Sequence, residues 1–193
     1  VPDIMVLAKS ISGGIFPNAV VMYRTTPLLN NYVKSNHDFH QSITGGSDLG
    51  CAVGSAVIDY MVKNRLWENA AKMGAIIIDG LLTIQHENPT IIKEIRGRGL
   101  MIGVEYTHEY MGALMADSLA RHGIFAIYSG NQPQVMRFMV PITISEQEVQ
   151  KMLSIVQKAI ATMKLYLPLT KPLSKIPILS RLLDDIHIQI TVF

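Results

Sequence analysis

Two hydrophobic rhythms divide this chain. Ile4 to Ala8 is a short apolar run rich in branched residues, and it fits a buried strand. The run stops at Lys9, and Ser10, Ser12, Gly13 and Gly14 follow as loop chemistry. Pro17 and Asn18 mark a turn, and Ala19 to Tyr23 reads as the next strand. Past Gly45-Gly46-Ser47 the spacing becomes helical. Leu49, Ala52, Val53, Ala56, Val57 and Tyr60 predict one helix, with Ser47 or Asp48 as its cap. Ala70, Ala71, Gly74, Ile77, Ile78 and Leu81 predict a second, from about Trp67 to Gln85, ended by Asn88-Pro89.

The rhythm then alternates. Ile91 to Ile95 is strand-like, Arg96-Gly97-Arg98-Gly99 is a break, and Leu100 to Tyr106 is strand-like again. Met111 to Arg121 is helical, with Gly123 placed to end it. Ile124 to Tyr128 and Val135 to Val140 are short strands. Ser145 with Glu148 three residues on is a capping box, opening a helix through about Lys164. This order predicts an α+β unit with helices on one face of a small sheet. After Tyr166 the pattern degrades, interrupted by Pro168, Pro172 and Pro177. The expected division is residues 1–65, 66–165 and a tail or linker over 166–193.

Composition narrows the class. Of the 193 residues, 49% are hydrophobic and 17% charged, as in a folded globular protein. The net charge is +2 and no basic run interleaves with aromatics, so nucleic-acid binding has no support. No apolar run is long enough to span a bilayer. A lone cysteine, Cys51, rules out an internal disulfide framework and suits a reducing compartment, so a cytoplasmic location is expected. Val1-Pro2-Asp3-Ile4 has no initiator Met and opens straight into an apolar stretch, the way a fragment begins or a start site placed inside a larger gene.

Candidate chemistry concentrates at Lys9. A lysine at the end of a buried strand is uncommon, and burial favours the neutral amine that a Schiff-base nucleophile requires. The ordinary reading is a strand-end lysine whose head reaches solvent. Gly45-Gly46 before a helix is a weak anion-site signal, because exposed amides and the helix dipole favour phosphate. His37, Asp38 and His40 lie close in sequence, but no tetrahedral metal set accompanies them, so no metal is expected. The glycines around Arg96 have the wrong spacing for a dinucleotide fingerprint, and a strand follows where a helix is required. Arg137 on its strand could make a surface ion pair.

Four segments together resemble the class III aminotransferases that use pyridoxal phosphate, the family of the ornithine, acetylornithine, 4-aminobutyrate and putrescine enzymes. Pro2-Asp3, an apolar strand, Ala8-Lys9, Ser10, Gly13-Gly14, Pro17 and Ala19 resemble its cofactor-lysine segment, with Asn18 where glycine is usual. Because asparagine tolerates left-handed backbone, that change reads as mild. His40 to Ala52 resembles its Gly-Gly segment, Arg96 to Glu105 its Arg-Gly-x-Gly-Leu segment, and Arg137 to Ser145 its carboxylate-binding strand. The order and approximate spacing match from about Pro2 to Lys164.

The resemblance implies the C-terminal half of a fold-type I, α/β transferase: the end of a large cofactor domain, then a small α+β domain. It implies pyridoxal 5'-phosphate as cofactor, a homodimer, and amino transfer from an amino acid or ω-amine to a 2-oxo acid. Lys9 would hold the cofactor and then act as base, and Arg137 would bind the substrate carboxylate. The family's phosphate-binding Thr falls on Ile43, which has no hydroxyl; either Thr44 or Ser42 substitutes, or the contact is lost. The Gly-rich phosphate loop and the Asp that pairs with the cofactor ring belong to the family's first half. The alternative is a non-catalytic remnant or assembly piece that keeps the fold, and on either reading residues 1–193 alone are expected to be inactive.

Overall fold

Branched and apolar residues at Ile4–Ala8 (β1) and Ala19–Tyr23 (β2) form an antiparallel pair, in register from Ile4 opposite Tyr23 to Ala8 opposite Ala19. The structure is a computed structural model that describes residues 2–37 and 45–173, with side chains described through residue 164. It divides into two units, Val1–Leu66 and Trp67–Phe193.

In the first unit the two strands are joined by a single 3-10 turn, Ser10–Ser12. Two helices follow, α1 over Pro27–Ser35 and α2 over Asp48–Lys63. The spacing of apolar residues gives no sign of α1, yet local chemistry explains it. Thr26 caps it by accepting from Leu29 N–H at 3.3 Å, and Pro27 stands in the first turn, where its missing N–H costs nothing.

Two expectations for this unit need correction. The strand β1 forms where expected, but it is exposed rather than buried: Ile4 keeps 54% and Val6 65% of their surface. Its one hydrogen-bonded neighbour among the described residues is β2, so both of its faces keep access to water. On α2 the buried positions are Gly50 and Gly54, whereas Leu49 and Tyr60 from the expected stripe are exposed. The Ser10–Phe16 turn packs on that glycine face, because a side chain there would collide: a Cβ on Gly50 would lie 3.1 Å from Phe16 Cε1.

The second unit follows the expected alternation. Helix α3 spans Leu66–Glu87, and strands β3 (Ile92–Arg98) and β4 (Met101–Tyr106) form a hairpin. Helix α4 (Met111–Arg121), strands β5 (Ile127–Ser129) and β6 (Gln132–Met139), and helix α5 (Glu146–Leu173) complete it. The sheet is antiparallel throughout, in the order β3-β4-β6-β5. Alternation places Ile102, Val104, Met136 and Phe138 on one face, where they join one core with Ile77, Leu81, Met115, Leu119, Val156 and Ile160 of the three helices. Each fully buried side chain of this size contributes about 1.5–3 kcal/mol.

The hairpin turn is tighter than the sequence suggests. Arg96, Gly97 and Arg98 belong to β3, and only Gly99 and Leu100 lie between the paired residues Arg98 and Met101. Gly99 takes φ 56°, the left-handed first position of a two-residue turn. Gly74 of α3 faces that turn so closely that a Cβ on it would come within 2.2 Å of Gly99 O.

At the start of α5 the capping box forms as expected. Glu148 accepts from Ser145 N at 2.8 Å and from Ser145 Oγ at 2.7 Å, while Glu148 N–H returns a bond to Ser145 Oγ. Those bonds hold the Glu148 carboxyl below the usual carboxylate range. The helix does not stop near Lys164; its backbone continues to Leu173, past Pro168. No helix among the described residues is long and apolar enough to cross a membrane.

Candidate active site

Lys9 occupies an unusual piece of backbone. It follows the last residue of β1 and precedes the 3-10 turn, with φ 59° and ψ −89°. For a residue with a Cβ this is a sparsely populated region that costs about 1–3 kcal/mol and persists only where neighbours enforce it. Here contacts of Ser12 and Asn18 do so. Lys9 N–H donates to Asn18 O at 3.2 Å, closing the loop between the two strands. The buried Ser12 hydroxyl lies 3.3 Å from Lys9 O and also against Phe16 O. Asn18 in turn donates its side-chain amide to Gly50 O at 2.8 Å, tying the loop to the first turn of α2.

The expectation for Asn18 is therefore corrected. Its backbone is not on the left-handed side; among the described non-glycine residues only Lys9 and Arg65 are. Asparagine is used here for its side-chain donor. The Lys9 side chain is exposed, and its amine has no hydrogen-bond or ion-pair partner among the described residues. The burial expected to favour a neutral amine is therefore not found: the head reaches solvent, as in the ordinary reading, and the pinned backbone is what sets Lys9 apart as a candidate anchor.

Around Gly45-Gly46 the local structure also suits an anion. Gly46 takes φ 68° with no atom of the described residues within 4 Å of where a Cβ would stand, and Ser47 caps α2 by accepting from Gly50 N–H at 3.2 Å. Ser42, Ile43 and Thr44, with Asp38 and His40, lie outside the described residues.

Arg137 belongs to the second unit. It stands near the end of β6, inside the sheet, with Gly103 of β4 on one side and Ile127 of β5 on the other. Alternation turns it to the face opposite the helical core, and it is exposed. The Arg137 guanidinium makes no hydrogen bond or ion pair with the described residues. That sets it apart from Arg96 in the same row of the sheet, which bonds Glu105 at 2.7 Å and Glu94 at 3.0 Å. Among the described residues, the ion pair of the ordinary reading of Arg137 is not formed.

Glu105 is the buried carboxylate of this face, at 8% exposure. A hydrogen bond from Lys93 at 2.7 Å, then the one from Arg96, hold its carboxyl below the usual range despite burial. Its ionic demand is thus met without Arg137.

Sequence reasoning missed Ser12, the side chain of Asn18, and the pairing of Asn18 with α2. The available signal was the spacing of Gly50 and Gly54, one helical turn apart.

The family described as Aminotransferase class-III matches residues 1–160. The chain belongs to that family. Among its relatives, an uncharacterized aminotransferase of Archaeoglobus fulgidus is 34% identical over 149 residues, covering 77% of this chain and 34% of its own length. An uncharacterized aminotransferase of Schizosaccharomyces pombe is 34% identical over 175 residues, covering 83% of this chain and 36% of its own. The solved ornithine aminotransferase of Toxoplasma gondii, with partial occupancy of pyridoxal phosphate at its active site, is 31% identical with a TM-score of 0.73, covering 82% of this chain and 36% of its own. Fold-type I aminotransferase architecture is thereby established. The chain spans about a third of the length of these relatives.

Proposed function

We propose that this chain forms part of a pyridoxal-phosphate-dependent aminotransferase in which Lys9 carries the cofactor and Arg137 binds the carboxylate of the 2-oxo acid. The observation that carries the reading is the pinned, left-handed backbone of Lys9 with its accessible amine. Backbone strain of this kind gathers at functional sites, and nothing in the packing of the turn requires a lysine there.

Pyridoxal phosphate supplies an aldehyde that accepts the amino group and a ring that withdraws electrons from the substrate carbon. Lys9 would hold the cofactor through Nζ, and the same amine would take the proton from the substrate carbon that bears nitrogen. Arg137 offers a planar fork to a carboxylate, and no described residue forms an ion pair with it, which leaves both arms of that fork available. Ser42 or Thr44 would donate to the cofactor phosphate, with Gly45-Gly46 and the start of α2 adding exposed amides. Relatives more than twice as long support the further reading that residues 1–193 by themselves hold the cofactor weakly and do not turn over. A homodimer, a cytoplasmic location and an amino acid or ω-amine donor complete the proposal.

The test is amino transfer to 2-oxoglutarate by the protein as its gene encodes it. Transfer that is abolished in Lys9→Ala supports the reading. Transfer that survives Lys9→Ala contradicts it. No transfer and no cofactor binding in the unaltered protein would favour the non-catalytic alternative.

A further inference from the structure

We infer that Asn18 is a positioning residue for Lys9: its side chain, bonded to α2, fixes the carbonyl that holds the Lys9 amide and so maintains the backbone from which the lysine side chain departs. The inference rests on the proposal that Lys9 carries the cofactor.

The chain of contacts is short. Gly50 O, at the first turn of α2, accepts from Asn18 Nδ2 at 2.8 Å. The carbonyl of the same Asn18 accepts from Lys9 N–H at 3.2 Å. One residue therefore joins a rigid helix to a strained lysine. The backbone torsion of Lys9 sets the direction in which its Cα–Cβ bond leaves the chain, so a relaxed torsion would redirect the amine.

Helix α2 is shaped to receive this side chain. Gly50 and Gly54 are its two buried residues, one turn apart. A Cβ on Gly54 would lie 3.3 Å from Asn18 Nδ2, closer than an ordinary contact. Neither glycine takes a left-handed φ, so space and not backbone freedom explains their presence. Glycine inside a helix is less favourable than alanine, and the seat for Asn18 accounts for its presence at Gly54. Ser12, at 0% exposure, contacts the other side of Lys9 through its carbonyl and leaves the Lys9 N–H to Asn18 alone.

The test compares the unaltered protein with Asn18→Asp, which keeps the size and removes the donor. Two quantities are read: amide hydrogen exchange at Lys9, and the extent of borohydride-trapped pyridoxal phosphate at Lys9, with Lys34 as internal reference. The inference predicts that exchange at Lys9 accelerates and that trapping at Lys9 falls about fivefold, the size of one lost hydrogen bond. Near-ultraviolet circular dichroism of the trapped adduct should change with them. Trapping and dichroism equal to the unaltered protein would overturn the inference, as would reduced trapping with unchanged exchange. If Asn18→Asp does not fold, Gly54→Ala decides by the same readings. That substitution favours the helix, so a merely structural role predicts no loss of trapping. Failure of the unaltered protein to label at Lys9 would instead remove the function proposal.

Discussion

Arg137 on β6 lies directly across from Gly103 on β4, and that glycine is required by neither backbone nor packing. Its φ is not left-handed, and the nearest atom to a Cβ there would be Val135 Cγ1 at 3.5 Å, an ordinary contact. The glycine places no side chain beside Arg137 in this row of the sheet. Gly103→Ala should therefore leave thermal unfolding within a few degrees while weakening the 2-oxo acid. Arg137→Ala should weaken the same substrate by about 1.5–3 kcal/mol, with a smaller effect on a diamine donor. Arg137→Lys should recover only part, since it keeps charge without the planar fork. Steady-state KM and kcat for both substrates check this; equal losses for both would assign Arg137 a folding role.

Glu105 gives the fold a pH dependence. Its folded-state carboxyl is held below the ordinary value, first by Lys93 and then by Arg96, so it contributes stability above about pH 4.3 that is lost as pH falls further through its folded value. Glu105→Gln should lower stability by about 1–2 kcal/mol at neutral pH, a modest figure because Lys93 and Arg96 remain in water when freed. The difference from the unaltered protein should shrink in acid. Denaturant unfolding at pH 7 and pH 3.5 measures it, and an undiminished difference at pH 3.5 would contradict the assignment.

Tyr106 is 1% exposed, and its hydroxyl has no hydrogen-bond partner among the described residues. Burial pushes the phenol above its ordinary range. Removing an unsatisfied buried hydroxyl is neutral or favourable, so Tyr106→Phe should keep or raise the melting temperature. A loss above about 1 kcal/mol in thermal unfolding would show that the hydroxyl has a partner after all.

Gly112, in the first turn of α4, has no room for a side chain: a Cβ would come within 1.7 Å of Pro133 O. Backbone cannot yield as a flexible side chain can. Gly112→Ala should destabilise by about 1–3 kcal/mol despite its better helix propensity. A variant as stable as the unaltered protein would mean that α4 shifts freely on β6.

The second unit was legible in the sequence because its core is complete within the described residues. Helical spacing at Ile77 and Leu81, alternation through Ile102 and Val104, and the Ser145–Glu148 box each act locally and agree with the fold. The first unit was legible in outline only. The apolar residues of β1 signalled a strand, but what covers a strand is a tertiary fact, and Ile4 and Val6 are exposed here. On α2 the sequence pattern weighed Leu49 and Tyr60 by hydrophobicity, whereas close approach selected Gly50 and Gly54. Among the candidate functional residues, Lys9 and Arg137 stood out through family resemblance. The strain at Lys9 and the bond from Asn18 to Gly50 could not, because torsions and contacts between residues 32 apart leave no periodic trace.

The central claim is that Lys9 is the covalent anchor. The most direct measurement is borohydride reduction of the gene-encoded protein in the presence of pyridoxal phosphate, followed by peptide mapping by mass spectrometry. The account predicts a stoichiometric phosphopyridoxyl label on Lys9, absent when borohydride is omitted. A label confined to any other lysine, with Lys9 unmodified, would contradict it.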